Sequence, residues 1–460
     1  MEDTDQKPPL PRVLYSAFFS WLSVSCGRFI APFLKHEAGF SDEYIGYAVA
    51  LQIGISSTLG MFGSSWSDYI ESKYPNRGRS YVILSGVFGA TFFFILHGTW
   101  RCFPGVSFFQ SIAWHMLLRC FYAVSMATVY PVLDGLTLAH LNEEPGREKT
   151  DYGKERLYGA IWWGATNLIM GPFIDWIGYQ AMYLFAFISA LASLYTVKFY
   201  VLGKISWQIS RQRETTEIQS SDEGTTLLPI WILLRIMIGT VIAATFFISY
   251  FCLCTGFSVV ENLNFLYFEY LGASNSLNGL TVALTVLFEI PIFHIAPKLL
   301  KHFGSSALLQ IANVTLILRL IGYILVPDGR VHFVLFFEPL HGIILGCLQT
   351  ASVDFVSQLM PCGHEASGQG LLVMFHGLAG ILGLSLAGIL EQNLGPRLMY
   401  RTLGFIVATG LAVFAVAGAI YGSKVERRLL SEVGDLEPLS SSDELPTQTI
   451  QVHKKYGSTS

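Results

Sequence analysis

GFSDEYIGYAVAL (residues 39–51) is echoed by GASNSLNGLTVAL (residues 272–284), with Gly, Ser, Gly and Val-Ala-Leu in the same register. Six of thirteen positions match across an offset of 233 residues. The phrase therefore marks equivalent points in two halves of one chain, and the composition says what those halves are. Only 13% of the residues are charged and 52% are hydrophobic, with a mean hydropathy of +0.48, against about a quarter charged in a soluble domain. Such a chain belongs in a bilayer, where helices satisfy their own backbone.

Apolar runs long enough to cross the roughly 30 Å hydrocarbon core as helices cover 12–34, 43–66, 80–99, 107–140, 156–174 and 180–202. After a polar stretch they resume at 237–268, 274–300, 305–326, 330–360, 366–391 and 397–421. The expected fold is an all-α polytopic membrane protein of twelve transmembrane helices in two six-helix parallel pseudo-repeats. The units are a cytosolic N-terminus (1–11), a first half (12–203), a cytosolic middle loop (204–236), a second half (237–421) and a disordered cytosolic tail (422–460). Lys and Arg gather in the N-terminus, the even loops and the tail, which places both termini in the cytosol. An even number of crossings between the two phrases keeps both at the outer face, so LLPIWILLR (227–235) reads as an interfacial lead-in rather than a thirteenth span. The start, MEDTDQKPPLPR, lacks the pattern of a cleaved signal. Six of the seven cysteines lie in or near spans, and Cys252 and Cys254 have no companions for a zinc site, so neither a disulfide framework nor a metal is expected.

The two halves correspond again at YPVLDG (130–135) and TASVDF (350–355), which align Asp134 with Asp354. Over residues 12–421 the chain resembles the major facilitator superfamily. SSWSDYIESKYPNRGR (64–79) is similar to that family's loop motif, with Asp68 at its aspartate and Arg77 and Arg79 at its basic positions, although Ser64 replaces a glycine. Arg119, followed by Ala123, Ser125 and Ala127, is similar to the family's buried arginine. PVLDG with YGKERLYGAIWWG (152–164), LRLIG (318–322) and Glu289 look like the lactose-permease-like branch of proton symporters. That resemblance implies solute contacts at Asp134, Arg156, Trp163 and Glu289, and an arginine of the coupling site at Arg319. FFEPLHG (336–342) reverses the branch's order of His and Glu, so lactose is not implied. This stretch and SVVENLNFLYFEYLGASNSLNGL look more like the eukaryotic group called major facilitator superfamily domain-containing protein 6.

Independently of any family, ionisable residues inside spans need a reason, because insertion costs about 2.5 to 3.5 kcal/mol for each at mid-membrane. Arg28, Arg119, Glu261, Glu289, Arg319, Glu338 and His341 are the clearest, with His115, His294 and His376 behind them. Glu338 and His341, three residues apart on one helical face, with Arg319 one span away, outline a proton-coupling site; the plainer alternative is a buried hydrogen-bonded histidine beside a packing glutamate. Arg119 and Glu338 hold near-equivalent places with opposite charge, and a pair across the central cavity is expected from that. Glu261 either lines the cavity or bonds a neighbouring helix, Trp163 either stacks on a solute or packs, and Glu269 reads as interfacial. Asp68, Arg77, Arg79 and Asp354 are expected to latch the inner gate, with Asp134 also able to meet loop bases.

The function expected is proton-coupled symport of a small polar organic solute, sugar- or nucleoside-like, by a monomer in the lipid bilayer. No cofactor and no nucleic acid partner is implied. A transporter-shaped receptor or scaffold is the alternative, and the buried charges argue against it. An enzyme is a poorer reading, with no phosphate loop or catalytic triad spacing. DEGTTLL, with Glu223 before Leu227 and Leu228, resembles an acidic dileucine sorting signal, but the plasma membrane is expected ahead of an endosomal or lysosomal one.

Overall fold

The computed structural model describes residues 11–74, 78–102, 105, 107–143, 152–212, 230–361 and 364–432. Its helices are α1 (Pro11–Cys26), α2 (Ile30–Ala38), α3 (Asp42–Lys73), α4 (Gly78–Leu96), α5 (Phe108–Ala127), α6 (Val129–Glu143) and α7 (Tyr152–Ile177). They continue with α8 (Ala181–Gln212), α9 (Ile230–Ile238), α10 (Val241–Tyr270), α11 (Asn275–Leu325), α12 (Leu340–Leu359), α13 (Glu365–Leu394) and α14 (Pro396–Glu432). Each of the twelve expected stretches is helical. Among the described residues, eight helices are long and apolar enough to cross a membrane alone, nine if the bent pair α1 and α2 counts as one. The 51-residue α11 holds two expected spans, broken at Gly304, whose φ of 74° departs from helical geometry. Large apolar side chains such as Phe405 (77% exposed) and Trp176 (78%) face outward, the surface a bilayer covers.

Several boundaries differ from the sequence reading. The helix α8 runs to Gln212 and α14 to Glu432, so parts of the expected middle loop and of the expected disordered tail are helical. Residues 230–236 of the loop belong to α9, which buries Leu233 and Met237. Glu223, Leu227, Leu228 and residues 433–460 lie outside the described residues. The first expected span is broken, with α1 and α2 meeting at 43°. Gly27 marks the break, since a Cβ there would collide with the carbonyl oxygen of Ser23. The tenth is broken too, a 3-10 turn (Val331–Phe336) giving way to α12 after Pro339. Arg28 and Glu338 occupy these two breaks, where freed backbone groups make the surroundings polar.

The repeated phrase does what its residue types suggest. Gly39 and Gly272 turn the chain at φ 69° and 91°, values that favour glycine. Ser41 and Ser274 follow as N-caps of α3 and α11, although only the Ser274 hydroxyl accepts a cap bond, from Leu277 N at 3.2 Å. Gly46 and Gly279 then let the opposite half approach: a Cβ on Gly46 would sit 2.6 Å from the Leu384 carbonyl oxygen, and one on Gly279 would strike that of Asn167.

These approaches form two seams, α3 against α13 and α7 against α11, related by the repeat. In the first, Gly388 lies against the Asp42 carbonyl and the Asp42 amide donates to Gln392 at 3.2 Å. In the second, Gly171 lies against the Asn275 carbonyl and the Asn275 amide donates to Asp175 at 2.9 Å. The deepest of these glycine approaches, between Ser57 and Gly377, is ~22 Å from the start of α3 at about 1.5 Å per residue. Toward the other ends of the helices the described glycines meet only their own half. Among the described residues, the glycine approaches between the halves therefore cluster toward the Asp42 and Asp175 ends of these helices.

Asp175 fastens the second seam by accepting from the amides of Asn275 and Ser276, from the Asn275 side chain at 3.0 Å and from the Ser276 hydroxyl at 2.5 Å. Burial raises its carboxyl, but these bonds to Ser276 and Asn275 outweigh that and hold it below the usual carboxylate range. A depressed acid stabilises the state that depresses it above its ordinary value, 3.8, and the contribution is lost as pH falls through the lowered value. Asp175→Ala is therefore expected to increase thiol-reagent access to the α7/α11 seam at neutral pH. Acidification below about pH 4 is expected to reproduce the effect in the wild type but not to add to it in the variant.

Candidate functional site

Where the helix breaks meet, the structure assembles a charge network across the two halves. Arg28, 3% exposed, donates from Nε and Nη2 to the two oxygens of Glu261 at 3.2 and 2.8 Å, a forked pairing suited to a guanidinium. Its Nη1 lies 3.9 Å from Glu338 Oε2 and has no hydrogen-bond partner among the described residues. Glu338 is fully buried, holding Arg319 Nη2 at 2.7 Å on one oxygen and the Tyr323 hydroxyl at 2.6 Å on the other. Tyr323 also accepts from Arg319 Nε at 2.8 Å and from Asn264 at 3.2 Å, and Tyr400 donates to Asn264 at 2.8 Å.

His341 joins the two carboxylates through Arg319 rather than by direct contact with Glu338. Its Nδ1 is 2.9 Å from Arg319 Nη1 and its Nε2 is 3.5 Å from Glu261 Oε2. A guanidinium only donates, so Nδ1 accepts and the imidazole proton sits on Nε2, facing Glu261. The side chains of Glu338 and His341 thus meet through Arg319, and Glu261, 29% exposed, is the more open of the two carboxylates.

The expected pairing of Arg119 with Glu338 does not form. Arg119, 1% exposed, donates to the Ser25 carbonyl at 3.2 Å and to Gln52, and lies over the Tyr122 ring at 4.5 Å. Its helix, α5, packs on its own half, so equivalence in sequence did not bring it to the seam. Two of the pairs that do cross are related by the repeat itself. Arg28 and Glu261 are 233 positions apart, as are His36 and Glu269, which meet at 2.6 Å on the outer end. Residues equivalent under a two-fold can meet only beside its axis, and here each such pair sets a basic side chain against a carboxylate.

On the first half, Asp134, Arg156 and Trp163 surround one aromatic cluster. Asp134 accepts from Tyr15 at 2.7 Å, Arg156 donates to the Tyr130 hydroxyl with its guanidinium 5.3 Å from that ring, and Phe19 lies against both Tyr130 and Trp163. Glu289, half-buried on α11, lies within electrostatic reach of Glu261, Arg28 and Arg156. Asp354 accepts from Gln358 at 2.7 Å, and among the described residues neither Asp134 nor Asp354 forms an ion pair. Arg79 is half-buried at the start of α4, while Arg77 and the side chain of Asp68 lie outside the described residues. Tyr323 carried no motif and was missed. Arg28 was visible as a buried charge without a role, and Glu269 was read as interfacial; the offset of the repeated phrase, applied to charged residues, would have found both cross-half pairs.

A two-halved helical molecule, its halves packed together over a buried ionic network, has the architecture of a membrane carrier. The chain belongs to the MFS_1 like family, whose model matches residues 12–402. It is 22% identical to the maltose permease of Geobacillus stearothermophilus over 377 residues, 80% of this chain and 83% of that one. Among solved structures it is similar to the nucleoside transporter NupG, with a TM-score of 0.66 at 16% identity over 88% of this chain and 98% of that one. It is also similar to a D-xylose-proton symporter, with a TM-score of 0.60 at 13% identity over 88% and 96%.

Proposed function

We propose that the protein is a secondary transporter that carries a small polar organic solute, sugar- or nucleoside-like, together with a proton by alternating access. The observation that carries this reading is the Arg28 to Glu261 pair, which ties the halves together within a network whose charge one proton changes. In that network Arg28 brings one positive charge from the first half. Glu261, Glu338 and Arg319 together bring one negative charge from the second, and His341 is neutral when it accepts from Arg319. A proton taken up by the carboxylates neutralises the second half and frees Arg28. The bond between the halves is then weaker, and the seams can part.

The solute side of the cycle falls to Arg156, Trp163, Asp134, Glu289 and Glu261. Trp163 offers an aromatic face and the others offer charge and hydrogen bonds. Arg119 serves by holding the broken first helix through Ser25. The coupling role falls to Glu338, His341 and Arg319. Asp68, Arg77, Arg79 and Asp354 are assigned to the inner gate, where they meet when the inner end closes. The names of the similar proteins, a maltose permease, a nucleoside transporter and a D-xylose-proton symporter, support a polar solute and a proton. In this reading the transporter works as a monomer in the plasma membrane with both termini in the cytosol.

The test is a solute screen with purified protein in liposomes under an imposed pH gradient. Glu338→Gln is expected to lose uphill accumulation while retaining exchange of solute across the membrane. A variant that still accumulates solute uphill removes Glu338 from the coupling site. A broad panel that shows no flux, together with a protein ligand bound to the outer loops, favours a receptor.

A further inference from the structure

We propose that His36 and Glu269 form a second proton-binding site, at the outer entrance, and that protonation of His36 latches that entrance shut. His36 Nε2 lies 2.6 Å from Glu269 Oε1 and its ring stacks on Tyr179 at 5.1 Å and 10°. The side chains are 43% and 33% exposed, so protons reach them from the outer solution without crossing the buried network. The pair joins α2 of one half to α10 of the other, and it is the repeat-equivalent of Arg28 with Glu261, eight residues further along both helices. The inner pair has a guanidinium, which is always charged. The outer pair has an imidazole in the same role, the side chain that changes charge between about pH 5 and 8.

The groups facing His36 leave it the variable one. On its own helix Lys35 is engaged by Asp42 of α3 at 3.0 Å, and Glu37 is adjacent in sequence. Beyond Lys35 and Asp42 lies Glu391 of α13, within electrostatic reach of both. Tyr270 follows Glu269 on α10. On the α7 side, burial pushes the Tyr179 hydroxyl up, so it remains a neutral donor to Asn275 at 3.0 Å, and Asp175 is occupied by Asn275 and Ser276. When neutral, His36 can still donate one hydrogen bond to Glu269; when protonated, it adds an ion pair that exists only while the halves touch. Closure is therefore favoured as the outer pH falls, and loosened as it rises.

The experiment measures access to the seam and needs no solute, so it stands apart from the transport reading. A cysteine in place of Asn278, 2% exposed beside Gly279, reports opening in proteoliposomes treated with an impermeant maleimide, after subtraction of labelling in the wild-type chain. Normalising to Arg330→Cys, an exposed position, removes the pH dependence of the thiol itself. Labelling is expected to be roughly two- to five-fold slower near pH 5 than near pH 8, the range of a partly exposed ion pair. His36→Gln and Glu269→Gln are expected to flatten that ratio, and His36→Arg to keep labelling slow at both values. Equal ratios in the unsubstituted latch and in His36→Gln, or a His36→Arg chain that opens as pH rises, would overturn the proposal.

Discussion

Arg28→Met is expected to abolish uphill accumulation and lower the melting temperature of the purified protein, while Arg28→Glu combined with Glu261→Arg recovers part of both. Removing one member of a buried pair leaves the other charge without its partner, at a cost of about 3 kcal/mol or more. Here the loss is compounded, since Glu338 also lies 3.9 Å from Arg28 and would keep Arg319 as its nearby cation. The exchanged pair restores attraction across the halves. Its recovery is partial because a carboxylate at position 28 would stand near Glu338. Wild-type accumulation in Arg28→Met would show that the cross-half pair is incidental.

The second large effect is steric. Gly171 sits where a Cβ would strike the Asn275 carbonyl, a backbone atom that cannot swing aside. Gly171→Leu is expected to hold the outer end open, with uptake reduced roughly five- to hundredfold and the Asn278→Cys reporter labelled faster, since overpacking costs about 1–3 kcal/mol and about 1.4 kcal/mol is a tenfold change. Gly388→Leu should act alike through the Asp42 carbonyl. Gly404→Leu, where a Cβ meets nothing within 4 Å, is the control and should leave both readouts unchanged. If Gly171→Leu transports normally, the cycle does not require this seam to close.

What the sequence disclosed, and what it withheld, follows from the range over which each signal acts. The phrase at 39–51 and its echo are local: a left-handed turn, a cap and a glycine on a packed face can be read from residue types, and the structure places them so. The division into two halves came with them. Pairing across the seam is a long-range property, and Arg119 shows the difficulty: it has an equivalent position and a suitable partner sign, yet α5 turns it toward Ser25 and Gln52. The break at Gly27 is hidden, because the apolar run reads straight through it, whereas Pro339 marks the interruption of the tenth span in the sequence itself. A break decides where Arg28 and Glu338 point. Equivalence under the repeat becomes contact only on helices beside the pseudo-axis, which α2 and α10 are and α5 is not.

The most direct measurement of proton coupling uses liposomes loaded with a pH-sensitive dye, with no initial pH gradient and solute supplied outside. The account predicts that a transported solute acidifies the interior through the wild-type protein, and that Glu338→Gln lets solute in without acidification. Solute entry through the wild type with the internal pH unchanged would contradict it.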